Sequence, residues 1–194
     1  MKSLAIFALL VPVFASALQP KELLTVDSHK KHLLLTDTAN VDELINGVKS
    51  SQPAWLEVVP GIIDSIPQSQ YIPLMNALAA SLIRSAPATL KVLAQVDKLI
   101  AREEQSTERD RFGSYIICVY TPDPKIYNKQ SVIEYFARAQ RVLPQAGKAG
   151  RSCLELMGEA IAEMKRDNQR KPYKWGDKDY FKSYYPLNVP TETP

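Results

Sequence analysis

Apolar residues in the body of this chain recur every three or four positions, between boundaries marked by proline, serine or glycine. This spacing places them on one face of a helix, whereas strict alternation would indicate strands. It predicts helices over residues 41–49, 53–66, 69–84, 86–100, 114–120, 129–143 and 148–165. The predicted fold class is all-α: an orthogonal array of about six to seven helices built from α-hairpins, with a short aromatic-rich C-terminal tail.

Residue types at the segment ends support these boundaries. Asn40 is predicted to cap the first helix, because its side chain can accept a hydrogen bond from a free backbone N–H group. Pro53 stands near a first helical position, where proline is favoured, and Pro60 should kink or split the same helix. The stretch 114–120 (SYIICVY) has strand propensity, but a buried helix is the favoured prediction.

One pattern occurs twice along the chain. Residues 51–59 (SQPAWLEVV) and 85–93 (SAPATLKVL) share S-x-P-A-x-L-x-V-[V/L], separated by about the length of one helical hairpin. The repeat favours packed hairpins, although two copies fall short of the number that an extended solenoid needs. The alternative is that two helix starts after Ser-x-Pro resemble each other by chance.

Residues 1–17 have the pattern of a signal peptide. Lys2 supplies a positive charge, residues 4–14 (LAIFALLVPVF) form an apolar core, and Ala15 and Ala17 are the small residues of a cleavage site. The run is too short for a membrane span, which needs about 20 apolar residues. We expect a signal peptide at 1–17, a helical domain at 18–170 and a tail at 171–194 partly packed on it. The expected location is periplasmic or extracellular.

Export changes the interpretation of the two cysteines, Cys118 and Cys153. In the cytosol they would be two unrelated buried thiols, whereas an oxidising compartment allows their one intramolecular pairing. We therefore expect a Cys118–Cys153 disulfide, which would contribute about 3–4 kcal/mol on the chain-entropy model. The alternative is a pair of free buried thiols.

Charge and hydropathy narrow the classes of partner and cofactor. A formal net charge of +3 without a clustered basic face does not indicate nucleic acid. Beyond residue 17 no apolar run approaches the length of a membrane span. The exported location disfavours nucleotide cofactors, and the sequence contains no Gly-rich phosphate loop or dinucleotide fingerprint. No cofactor and no nucleic-acid partner are therefore predicted.

The two histidines of the sequence, His29 and His32, are the candidates for a metal site. Their i,i+3 spacing would place both side chains on one face of a helix, where Asp27 or Asp37 would have to complete the ligand set. The neighbouring lysines oppose cation binding. A solvated or interface role is the favoured interpretation, and no metal residue is assigned.

Candidate catalytic residues are equally few. Hydrolysis of a glycoside needs two carboxylates in a cleft, and the pairs available at helical spacing are Glu57–Asp64 and Glu155–Glu159. An exposed helix face is the favoured interpretation of both pairs. The sequence has no nucleophile elbow, and a disulfide would remove both cysteines as nucleophiles. No catalytic residue is assigned.

The tail at 171–194 is rich in lysine, aromatic residues and proline. Disordered tails are ordinarily poor in aromatic residues, so part of this tail is expected to pack on the body or to meet a partner. The favoured interpretation is that the aromatic side chains complete the core. Residues considered for partner contact are Trp175, Tyr180 and Tyr184 in the tail and Arg109 and Arg111 in the charged connector at 102–111.

Four short motifs follow one another between residues 40 and 160. They are P-A-W-L-x-V at 53–58, A-L-A-x-S-L at 77–82, S-A-P-A-T-L-x-V-L at 85–93 and R-x-C-L at 151–154. Their order resembles that of small exported α-helical proteins of Gram-negative bacteria. The resemblance implies a helical fold and supplies no activity and no catalytic residue.

In size, compartment and helical class the chain is similar to periplasmic immunity proteins, which neutralise toxins by binding them. We therefore expect an exported helical protein that binds a protein partner of unknown identity, with an immunity-type inhibitor acting by occlusion as the specific hypothesis. The alternatives are a cell-envelope hydrolase and a secreted structural or virulence-related module.

Overall fold

The computed structural model describes residues 18–102, 108–120 and 129–170, which form helices and their connections without any strand. The all-α prediction is therefore confirmed. The α-helices are α1 Pro20–Thr25, α2 Ser28–Leu34, α3 Thr38–Lys49, α4 Pro53–Val58, α5 Tyr71–Leu82, α6 Ala86–Ile100, α7 Ser114–Val119, α8 Lys129–Val142 and α9 Gly147–Arg170. Short 3-10 helices lie at Val59–Gly61, Gln68–Gln70, Glu108–Phe112 and Leu143–Ala146.

The seven predicted helices correspond to α3 through α9. The segment after Pro53 splits at Pro60 as expected, because α4 ends at Val58 and a 3-10 turn contains the proline. Residues 114–119 are helical, so the β-branched residues of this stretch do not form a strand. The last helix is longer than predicted and extends to Arg170.

The predicted cap of α3 is wrong by three residues. Asp37 is the N-cap, and its Oδ1 accepts a hydrogen bond of 3.1 Å from the Asn40 backbone N–H. The Asn40 side chain instead donates through Nδ2 to the carbonyl of Leu34, at 3.1 Å. Asn40 therefore ties α3 back to α2, and α3 gains almost one more turn than the sequence indicated.

Buried apolar side chains from α1 to α9 form one hydrophobic cluster. Within it α3 packs on α5, α5 on α6, and α7 on α9. A close side-chain approach involves Trp55 on α4 and Gly47 on α3: a Cβ atom added to Gly47 would lie 2.1 Å from the Trp55 Cδ1 atom. Glycine is required at this position because the indole ring occupies the space of any larger side chain.

A chain of hydroxyl groups links the two copies of the repeated pattern. Ser51, which has a φ of 59°, lies 2.9 Å through Oγ from Ser81 Oγ. Ser81 Oγ in turn lies 2.8 Å from Thr89 Oγ1, and Thr89 Oγ1 donates to the Ser85 carbonyl at 3.0 Å. Ser81 and Thr89 are fully buried, so these bonds satisfy polar groups that would otherwise destabilise the fold. Both repeat copies begin a helix, with Pro53 and Pro87 in the first turn.

The predicted disulfide is present between Cys118 of α7 and Cys153 of α9, with a Cα–Cα distance of 5.2 Å. Both cysteines are buried. The bridge joins residues 35 positions apart in sequence and fixes the short helix α7 against the longest helix of the fold.

Replacing Gly47 by alanine should lower the free energy of unfolding by about 1–3 kcal/mol, because the new methyl group must displace the Trp55 ring. Gly158→Ala is the matched control, because nothing lies within 4 Å of its added Cβ. Its free energy of unfolding should rise by about 0.5–1 kcal/mol, because alanine has a higher helix propensity than glycine. Urea denaturation measures both variants. Equal effects of the two substitutions would contradict the close packing of Trp55 on Gly47.

Removing the disulfide in Cys118→Ala/Cys153→Ala should lower the free energy of unfolding by about 3–4 kcal/mol, since the unfolded chain regains the entropy of an open loop. The double variant loses both the cross-link and the two buried sulfur atoms. Denaturation of the wild-type chain with and without a reductant measures the contribution of the cross-link alone, because reduction leaves the sulfur atoms in place. A difference below about 1 kcal/mol between the oxidised and reduced wild type would contradict a stabilising role.

Candidate functional site

A cleft of about 290 Å³ lies between α5 and α8, beside the C-terminal end of α3. We call it the α5–α8 cleft. Its volume falls near the lower end of the range for ligand pockets, roughly 300–1,000 Å³. It is lined by Lys49 at the end of α3, by Asn76, Ala79, Ala80 and Ile83 in and just after α5, and by Ser131, Glu134, Tyr135 and Arg138 on α8.

The helical period places these side chains on the cleft. On α8, Val132, Phe136 and Ala139 are buried in the core, and the adjacent stripe contains Ser131, Tyr135 and Arg138 at i, i+4 and i+7. The large core residues of α5 are Leu74, Met75, Leu78 and Leu82. The small side chains of Ala79 and Ala80 leave space at the surface between the two helices. The cleft therefore has an apolar floor and a polar wall.

The Tyr135 hydroxyl is the buried side-chain polar atom that has no hydrogen-bond partner among the described residues. Tyr135 is only 8% exposed. Burial, and to a smaller extent the neighbouring Tyr120, raises the pKa of the Tyr135 phenol well above its usual value. The group is therefore neutral and can both donate and accept, and leaving it unpaired costs about 1–3 kcal/mol.

A second polar group of the cleft is held in place by the chain after α7. The Tyr120 hydroxyl donates to Asn76 Oδ1 at 2.8 Å. This bond uses the oxygen of the Asn76 side chain and fixes its amide plane. The Nδ2 group makes no hydrogen bond to the other described residues, so Asn76 offers the cleft two N–H donors.

The charged side chains of the cleft do not pair with one another. Glu134 Oε1 accepts a hydrogen bond of 2.8 Å from Gln130 Nε2 one turn earlier, and not from Arg138 one turn later. Lys49 and Arg138 are exposed and form no salt bridge within the described residues. Two cations and one carboxylate thus give the lining a formal net charge of one positive unit.

Arg109 and Arg111, considered from sequence for partner contact, both make contacts within the chain. The Arg109 guanidinium forms a two-point ion pair with Asp64, with Nη2 2.5 Å from Oδ2, and this hydrogen bonding raises the Arg109 pKa. Arg111 lies over the Tyr71 ring, 5.9 Å from its centroid. Partner contact by either arginine stays a prediction, and Trp175, Tyr180 and Tyr184 lie outside the described residues.

His32 and Asp27, two of the residues considered as metal ligands, have structural partners. His32 Nδ1 lies 2.9 Å from the Ser65 carbonyl and joins α2 to the turn before Pro67, while His29 is exposed. Asp27 caps α2 by accepting from the Lys30 backbone N–H at 2.9 Å. Within the described residues no three His, Cys, Asp or Glu side chains are grouped closely enough to hold a metal ion.

The carboxylate pairs considered from sequence do not line the α5–α8 cleft. Asp64 is engaged by Arg109, and Glu57, Glu155 and Glu159 are exposed on helix surfaces. Sequence reasoning missed the cleft itself. Its one local signal was a polar stripe on α8 that includes a tyrosine beside the core residue Phe136.

Comparison with protein-family models, curated proteins and solved structures finds no match to this chain. The resemblance to exported helical proteins of Gram-negative bacteria and to immunity proteins therefore stays a prediction. Among the helices of the described ranges, none combines the length and apolar character needed to cross a bilayer.

Tyr135→Phe should raise the free energy of unfolding by about 1 kcal/mol at neutral pH, because it removes a buried hydroxyl without a partner. The gap between the two proteins should widen above about pH 10 by up to about 1.4 kcal/mol per pH unit, since the unfolded wild-type phenol ionises while the buried one stays neutral.

The matched control is Tyr115→Phe, which removes a hydroxyl from a side chain that is 61% exposed. Denaturation at pH 7 and between about pH 10 and 11 measures all three proteins. A loss of stability in Tyr135→Phe at neutral pH would show that the hydroxyl has a stabilising partner.

Proposed function

We propose that this chain is an exported binding protein that recognises a protein partner through the α5–α8 cleft and carries out no chemistry on it. In the specific form of the hypothesis, the partner is an enzyme, and the helical surface around the cleft occludes the enzyme's own site. This is the mode of action of an immunity-type inhibitor.

One observation carries the proposal. The cleft lining brings together Tyr135, whose buried hydroxyl has no described partner, the Asn76 Nδ2 group and the exposed cations of Lys49 and Arg138. These groups adjoin an apolar floor of Ala79, Ala80 and Ile83. A concave apolar surface with a few convergent polar groups is the usual form of a binding site, because the floor supplies affinity and the polar groups fix orientation.

Export is supported by two features of different kinds. The pattern of residues 1–17 is that of a signal peptide. The buried disulfide between Cys118 and Cys153 fits a chain that folds in an oxidising compartment. Binding is favoured over hydrolysis because the cleft lining contributes a single carboxylate, Glu134, whereas a glycoside hydrolase uses two.

The test compares proteins retained from periplasmic or secreted extract of the source organism. Immobilised wild-type chain is set against Lys49→Glu/Arg138→Glu, which reverses the two cations of the cleft. Lys91→Glu/Lys98→Glu is the matched control, because both lysines are exposed on α6 and neither lines the cleft. All three chains are prepared with the disulfide formed.

A specific partner should be retained by the wild type and by the control. The cleft variant should retain about tenfold less of it, because the introduced carboxylates repel the negative groups that Lys49 and Arg138 attract. Quantitative mass spectrometry measures retention, and loss of the captured enzyme's activity on adding wild-type chain tests occlusion. Equal retention by all three chains, or no protein retained by any, would contradict the proposal.

A further inference from the structure

We propose that the α5–α8 cleft binds the C-terminal residue of a partner chain, with the terminal carboxylate held by Arg138 and Lys49. This inference rests on the proposed binding function and adds the chemistry of the bound group. The evidence comes from the charge of the lining, the size of the cleft and the arrangement of its donors and acceptor.

The charge of the lining selects a carboxylate among anions. Lys49 and Arg138 together with Glu134 leave one uncompensated positive charge, which matches one carboxylate. A phosphate group carries about −1.5 to −2 at neutral pH. It would exceed the available positive charge and would be repelled by Glu134. The planar guanidinium of Arg138 also fits the two oxygens of a carboxylate in a bidentate pair.

The size and floor of the cleft select a short apolar group next to that carboxylate. A volume of about 290 Å³ admits roughly one residue and part of a second. Ala79, Ala80 and Ile83 present methyl groups, which favour an apolar side chain over a polar one.

A chain terminus meets these requirements within one residue. Its Cα carries the carboxylate, the side chain and a backbone N–H, whereas an internal Asp or Glu carries a carboxylate but no separate apolar side chain. Glu134 can accept a hydrogen bond from the backbone N–H of the bound terminal residue. The one carboxylate of the lining would then bind the same residue whose carboxylate the two cations hold. Asn76 Nδ2 supplies a further donor for the terminal group.

The probes are fluorescein-labelled pentapeptides that end in Ala-Leu, prepared with a free C-terminal carboxylate and as the C-terminal amide. Binding is measured by fluorescence anisotropy against the disulfide-intact chain. We expect the acid to bind about tenfold or more tightly than the amide, because amidation removes the charge-assisted hydrogen bonds. Arg138→Gln should weaken binding of the acid peptide by a similar factor and leave the affinity for the amide peptide unchanged. Lys98→Gln, on α6, is the matched control and should leave both affinities unchanged.

A competitor distinguishes a chain terminus from a free acid. The 4-methylpentanoate ion has the carboxylate and side chain of a terminal leucine without the backbone N–H. It should displace the acid peptide only at about tenfold or higher concentration than an unlabelled acid peptide. Competition at equal concentration would overturn the proposal in favour of a small carboxylic acid. Equal binding of acid and amide peptides, no binding of either, or an undiminished affinity in Arg138→Gln would overturn it as well.

Failure of this inference is distinguishable from failure of the binding function. If the captured partner depends on Lys49 and Arg138 but binds equally well after its C-terminus is extended by several glycines, the cleft binds protein by another group. The proposed function would then stand and the terminal-carboxylate inference would be wrong.

Discussion

The disulfide between Cys118 and Cys153 is the constraint on which the cleft depends. It holds α7 against α9, and α9 follows directly from the 3-10 turn on which α8 packs. Two residues after Cys118, the Tyr120 hydroxyl bonds to Asn76 on α5. One covalent bond therefore supports both walls of the cleft: it positions the group that fixes Asn76, and it anchors the helix that follows α8.

The buried hydroxyl groups of the described residues differ in their hydrogen bonding. Ser81 and Thr89 are fully buried, and both take part in a continuous chain of hydrogen bonds from Ser51 to the Ser85 carbonyl. Tyr135 is nearly as buried and has no such partner among the described residues. Proteins commonly give up some stability at sites that must bind something else. The contrast between the satisfied hydroxyls and Tyr135 is what singles out the cleft.

Sequence patterns predicted the parts of the fold that depend on local chemistry. Helices α3 through α9 follow from apolar spacing and from Pro53, Pro60 and Pro87, and the disulfide follows from two cysteines in a chain with a predicted signal peptide. Helices α1 and α2 were missed because they are short, and within them Leu23 is the one buried residue. The cap at Asp37 was missed because Asn40 is also a good capping residue, and only the contact of Asn40 with Leu34 decides between them.

The cleft could not be predicted because its residues come from three helices and have no shared motif. Lys49, Asn76 and Tyr135 are unremarkable on their own helices, and their proximity follows from how α3, α5 and α8 pack. The same holds for the ion pair of Arg109 with Asp64, whose partners are distant in sequence. Local periodicity determines which face of a helix is buried, but it does not determine which exposed residues become neighbours.

The most direct measurement of a binding role for the α5–α8 cleft is methyl NMR of the chain in complex with its captured partner. The reporters are the methyl groups of Ala79, Ala80 and Ile83 on the cleft floor, with the exposed Ala54 of α4 as the reference. Binding in the cleft predicts that the three floor methyl signals shift or broaden on addition of the partner while the Ala54 signal stays in place. Unchanged floor signals in a formed complex would contradict the central claim.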